Sequence, residues 1–223
     1  AYGKEDVLPP DAGVQAMRSG VQWFSNARLL VHPSWQAKVD AASNLKDRVG
    51  PAPESQWAIG DGTLGLLEGI TSTIDVAGSQ PVRYWFRYDC MSEAAMALAF
   101  DGVANQVAKS GDVSGNLNSY IYTTSELAQG PRSDPKSPSY GLLGWSRGPG
   151  ESVYYGDDNS RGLLATIASS ALLKKDQWDE SILRCLLANL RTTGPLGFRQ
   201  NALQEDALQK AGWQHYFNMP IVE

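Results

Sequence analysis

The stretch from Leu163 to Leu190 constrains the fold more than any other part of the chain. Leu163, Leu164, Ile167, Ala168, Ala171 and Leu172 recur at three- and four-residue spacing, which predicts a helix with one broad apolar face. After a short polar link at Lys174-Lys175-Asp176, the pattern resumes at about Trp178-Asp179. It carries Ile182, Leu183, Leu186, Leu187 and Leu190 to a Gly stop at Thr193-Gly194-Pro195. Two helices joined by so few residues run antiparallel and bury their apolar faces against further helices. A mainly α architecture built from helical hairpins is therefore expected.

Two earlier pairs fit the same scheme. Asp11, after Pro9-Pro10, can cap a helix carrying Val14, Met17, Val21 and Phe24 to about Val31. His32-Pro33 stops it, and Ser34 opens a shorter helix through Trp35 and Val39 to about Leu45. The second pair begins with Met91, Ala94, Ala95, Leu98 and Ala99, ends its first helix near Ser110-Gly111, and opens the next at Asp112 or Ser114. A last short helix is expected over about Leu203 to Ala211. Repeated hairpins of this kind curl around a common axis.

Between these pairs the helical spacing fails twice. Residues 50–88 start with Gly50-Pro51-Ala52-Pro53, and the Thr-, Ile- and Val-rich stretch from Leu66 to Phe86, turning at Ala77-Gly78-Ser79-Gln80, predicts a small inserted β-hairpin. The reading is one domain over residues 1–223 with this excursion inside it. Residues 130–157 are loop-rich, through Gly130-Pro131, Tyr140 to Trp145 and Gly148-Pro149-Gly150.

Composition narrows the partners. With 42% hydrophobic residues the 223-residue chain can furnish a real core, and a net charge of -5 supplies no electrostatic footprint for nucleic acid or an anionic membrane. No run of about 18 apolar residues is present to span a bilayer, and no signal-peptide pattern opens the chain, so the compartment is left open between cytoplasm and export with a leader absent from this sequence. Cys90 and Cys185, each in a predicted helix and without CxxC spacing, read as buried free thiols. His32 and His215 lack partners at ligand spacing, so neither a metal nor another cofactor is expected.

Helices that alternate in direction bring the starts of the third and fifth to one rim. Arg83-Tyr84-Trp85-Phe86-Arg87-Tyr88-Asp89 precedes the third, and Tyr154-Tyr155-Gly156-Asp157-Asp158-Asn159-Ser160-Arg161 precedes the fifth. Both combine aromatics, arginine and carboxylates. Aromatic faces dock sugar rings, Arg and Asn bond hydroxyls, and two carboxylates can serve as general acid and base or nucleophile. The candidate catalytic groups are Asp157 or Asp158 with Asp89 or Glu93. Tyr154, Tyr155, Asn159, Arg161, Trp85, Arg87 and Asp61 are the candidate sugar-binding groups, Asp61 from the glycine-flanked loop after Trp57, with Glu68 following on the predicted strand as a further candidate. Helix capping is the competing explanation for the carboxylates, since Asp and Asn favour helix starts.

The Trp57-Ala58-Ile59-Gly60-Asp61-Gly62 loop, Arg83-Tyr84-Trp85 to Asp89, and Tyr154-Tyr155-Gly156-Asp157-Asp158-Asn159 leading into an Ala/Leu-rich helix together resemble bacterial proteins of the six-hairpin glycosidase group. That resemblance implies an (α/α)6 toroid of two helical layers, with a substrate cleft at the N-terminal ends of the inner helices. The chain would then be a fragment, about half a ring. It implies a glycoside hydrolase acting on an oligo- or polysaccharide. The same toroid hosts sugar epimerases, polysaccharide lyases and noncatalytic carbohydrate-binding or scaffold proteins, which stay open as alternatives.

Overall fold

A computed structural model describes residues 3–148 and 152–219. Within them lie eight α-helices and two small antiparallel sheets. The core is formed by α3 (Tyr88–Ala104), α4 (Ala108–Ser119, continued by a π turn over Tyr120–Thr124) and α5 (Gly156–Leu173). The buried face of α3 carries Met91, Ala94, Ala95, Leu98 and Ala99, as its spacing predicts. Small residues set the helix separations. A Cβ on Gly102 would stand 3.0 Å from the backbone nitrogen of Gly111, and one on Gly162 would stand 2.4 Å from the Tyr88 ring. α3 therefore meets α4 backbone to backbone at Gly102 and Gly111, and seats its Tyr88 ring on α5 at Gly162.

The helix boundaries correct the sequence reading in several places. α1 spans Ala12–Asn26 and stops well before Val31, because Arg28 turns at φ 55° and Leu30 enters a bridge with Leu66. Asp11 stands at its N-cap position without a capping side-chain bond, since its carboxylate accepts from the Gln15 side chain instead. The second helix opens as a 3-10 turn at Pro33–Trp35 and continues as α2 over Gln36–Ala42. α3 ends at Ala104, not near Gly111, because Gln106 adopts φ 57° and restarts the chain into α4. α6 covers Asp179–Arg191. Leu203 belongs to a strand, α7 covers Glu205–Ala211, and α8 (Trp213–Asn218) adds a helix that the sequence reading does not include and that packs on α6.

The inserted β-hairpin is present. β2 (Gly69–Ile70) pairs with β3 (Val82–Arg83) around a turn in which the Asp75 carboxylate accepts from Ala77 and Ser79. β1 (Val49–Gly50) adds to the other edge of β3, giving the order β1-β3-β2. β4 (Val153–Tyr155) runs straight into α5 and pairs with β5 (Ala202–Gln204). Part of the predicted Gly148-Pro149-Gly150 turn lies outside the described residues.

The apolar pattern that defines α5 and α6 does not mark their buried side. Leu164 is 68% exposed and Leu183, Leu186, Leu187 and Leu190 are also exposed, whereas α5 buries Asp158, Asn159, Gly162, Thr166 and Ser169. Hydrogen bonds make that polar face tolerable. Thr166 Oγ1 donates to Gly162 O, Tyr122 Oη donates to Thr166 Oγ1, and Asn118 Nδ2 donates to Ser169 Oγ. Cys185 is buried, Cys90 half-buried, and both are free thiols. No helix among the described residues is long and apolar enough to cross a membrane.

Candidate functional site

The helix starts that the sequence groups together do meet. α3 and α5 pack side by side in the same direction. Their first turns are tied by Arg161, which donates from Nε and Nη2 to the Glu93 carboxylate at 2.9 and 2.8 Å and lies 3.5 Å from Asp89. Glu93 is thus a partner of Arg161 near the rim, Arg161 ties α3 to α5, and neither lines the pocket described below.

Arg87, the last extended residue before α3, organises the centre. It donates to Asp89 through Nε at 3.1 Å and Nη2 at 2.8 Å, to Glu68 through Nη1 at 3.3 Å, and to Asp158 through Nη2 at 3.3 Å. Three carboxylates share one guanidinium. Burial opposes its charge, but Cys90 and the three carboxylates outweigh that effect and raise its pKa above the ordinary arginine value. The inserted sheet serves this arrangement, because Glu68 stands beside β2, its amide donates to Trp85 O, and its carboxylate also accepts from Arg83 Nε at 2.9 Å.

Asp89 and Asp158 are 1% and 4% exposed and touch the same guanidinium nitrogen. Burial is the main force on Asp158, and the negative charge of the adjacent Asp89 adds to it. Against the pull of Arg87 they push the Asp158 carboxyl up to about 6. Asp158 therefore holds its proton at mildly acidic pH. Neither residue is an N-cap; Arg87 and Tyr155 occupy those positions.

A pocket of about 300 Å3 opens over the pair, lined by Arg87, Trp145, Tyr155, Asp157, Asp158 and Asn201. Its volume is at the lower end of the range of small-molecule sites. Two rings line the pocket: Tyr155 meets Trp145 edge-on at 5.9 Å between centroids, and Trp85 backs Trp145 from outside the pocket at 5.0 Å and a tilt of 40°. Trp145 is placed by two backbone bonds, its amide donating to Val153 O and its carbonyl accepting from Tyr88 N. Comparison of the sequence with family models, curated proteins and solved structures gives no match.

The remaining candidates fall outside the pocket. Tyr154 is fully buried, its hydroxyl bonded to Glu205 and Arg132 in a separate core cluster, so β4's alternation turns it away from any ligand while it turns Tyr155 outward. Asn159 is fully buried as well: its side chain accepts from Leu143 N at 3.0 Å and donates to Leu143 O at 2.9 Å, pinning the loop below the rim. Asp61 closes a local turn by accepting from Thr63 N and Oγ1, which lowers its pKa, and it lines no part of this pocket. Trp85 supports Trp145 from behind, its Nε1 donating to Asp47 O. Trp145 and Asn201 are the pocket residues that the sequence reading leaves out.

Proposed function

We propose that the chain carries the acid half of a glycoside hydrolase site on a helical-hairpin domain of the six-hairpin type. The observation that carries this reading is a buried carboxyl pair, Asp89 and Asp158, whose proton-holding member opens into a pocket walled by aromatic rings. A carboxylic acid kept neutral near pH 6 can protonate a departing glycosidic oxygen, and Trp145 and Tyr155 offer faces for the sugar. Asp158 is the proton donor. Asp89 and Arg87 are positioning residues, since they act through it.

Asp89 is not the opposing carboxylate. Glycosidases place their two carboxyl groups about 5 to 10 Å apart with the sugar between them, whereas Asp89 and Asp158 both accept from one Arg87 nitrogen, leaving no room for a sugar. Asp157 is exposed on the same pocket wall and is the second carboxylate within reach of a ligand. The toroid belongs to this proposal too: the outward leucines of α5 and α6 are the surface that a further hairpin of such a ring would cover.

The test is release of reducing ends from a panel of oligosaccharides by wild type, Asp158→Asn and Asp157→Asn. Loss of turnover by at least about a hundredfold in Asp158→Asn supports the reading. Near-normal turnover in that variant overturns it. Glycan binding without any product from wild type would instead favour a carbohydrate-binding protein, a reading supported by the number of ion pairs that tie up Arg87.

A further inference from the structure

Beyond the wall formed by Asp157 and Asn201 lies a second, larger pocket of about 520 Å3. Apart from Asp157 its lining is neutral and polar, with the side chains of Ser160, Asn189, Thr193, Gln200 and Asn201, and one cation, Arg199. No aromatic ring lines it, in contrast with its neighbour. Two contiguous pockets that share a wall can take adjacent residues of one chain of sugars.

Arg199 is unusual in what holds it. Its Nη1 donates to Asn189 Oδ1 and its Nη2 to Tyr154 O at 3.3 Å, both uncharged acceptors, and its Nε is buried without a partner. A guanidinium has five N–H donors, so these two bonds leave three unused. It forms no ion pair among the described residues; Asp157, at the shared wall, acts on it only from a distance. Burial accordingly pulls its pKa down to about 10. A half-buried cation that has bonds for orientation but no counter-charge is costly unless an anion arrives to complete it. Arginine's planar fork matches a carboxylate in particular.

We propose that this second pocket is a subsite for an acidic sugar residue, whose carboxylate pairs with Arg199 while the neighbouring residue of the glycan occupies the aromatic pocket over Asp158. The substrate class is thus a uronate-containing oligosaccharide, a conclusion that rests on the hydrolase reading for what happens to the bond but not for the binding. Asn201 and Asp157 sit between the two pockets, where sugar hydroxyls would meet them.

Binding is measured by calorimetry with a glucuronate-terminated disaccharide, its neutral glucose counterpart and a 6-O-sulfated counterpart. Wild type should bind the uronate at least about tenfold more tightly than the neutral sugar. Arg199→Gln should erase that difference, and Arg199→Lys should keep part of it. Equal binding of acidic and neutral sugars by wild type, binding of neither, or a preference that survives in folded Arg199→Gln overturns the proposal; a preference for the sulfate ester overturns the carboxylate assignment. If Arg199→Gln does not fold, Gln200→Glu adds a repelling charge at the same pocket and should abolish the preference. Acid-selective binding without hydrolysis would count against the hydrolase reading alone.

Discussion

Replacing Asp158 with Asn should stabilise this protein at alkaline pH while destroying the proposed activity. An ordinary aspartate titrates near 3.8, and the folded protein holds Asp158 at about 6, with burial as the larger cause and Asp89 as the next. The folded state therefore binds the extra proton more tightly than the unfolded chain does. Between pH ~4 and ~6 the folded form carries more protons, so stability falls as pH rises through that window and is level above it. A shift of about two pKa units corresponds to roughly 2–3 kcal/mol. Asparagine cannot ionise, so the variant escapes this cost. For a chain of this size the expected gain in melting temperature at pH 8 is about 4–8 °C. The gain should shrink steadily towards pH 4. Thermal unfolding followed by circular dichroism at pH 4, 6 and 8 measures it. A variant as stable as wild type or less at pH 8, or a gain independent of pH, would refute the account of Asp158 as a carboxyl forced to give up its proton in a buried site.

Arg87→Gln removes the guanidinium shared by Glu68, Asp89 and Asp158. It should cost about 3–5 kcal/mol in urea unfolding at pH 7, and the loss should lessen at acid pH as the carboxylates protonate. Gly162→Ala places a methyl 2.4 Å from the Tyr88 ring and should destabilise by about 1–3 kcal/mol, with tyrosine fluorescence reporting the displaced ring. Asn159→Ala strips Leu143 of both backbone partners supplied by that side chain. Unfolding measurements should show a loss of about 2–4 kcal/mol, and hydrogen exchange should quicken in the 142–145 loop.

The helical character and the meeting of two acidic-aromatic helix starts were legible because both depend on short-range spacing. The phase of α5 was not. Leu164, Ile167 and Leu172 are the large apolar groups at helical spacing, so periodicity assigns the core to their side, while the structure buries the Asp158, Gly162, Thr166 and Ser169 side. Close approach of α3 requires glycine and hydroxyl groups there, not leucine. Gly162 was the available clue, since it stands one turn after Asp158 and marks the face that touches another helix, which separates Asp158 from Asp157. Strand alternation similarly separates Tyr155 from Tyr154, but β4 is three residues long and its pairing with β5 depends on a segment far along the chain. Trp145 and Asn201 belong to loops placed by backbone bonds to the starts of α3, β4 and α5, at Tyr88, Val153 and Gly156, which no local pattern announces.

The raised pKa of Asp158 has a consequence for the heat of ligand binding. A neutral sugar bound as proposed would displace the last solvent from Asp158 and so deepen the desolvation that already raises its pKa. Around neutral pH the complex would then draw a fraction of a proton from the buffer. The apparent enthalpy will change with the buffer's own ionisation heat, so that a calorimeter counts protons at this site even when no bond is broken.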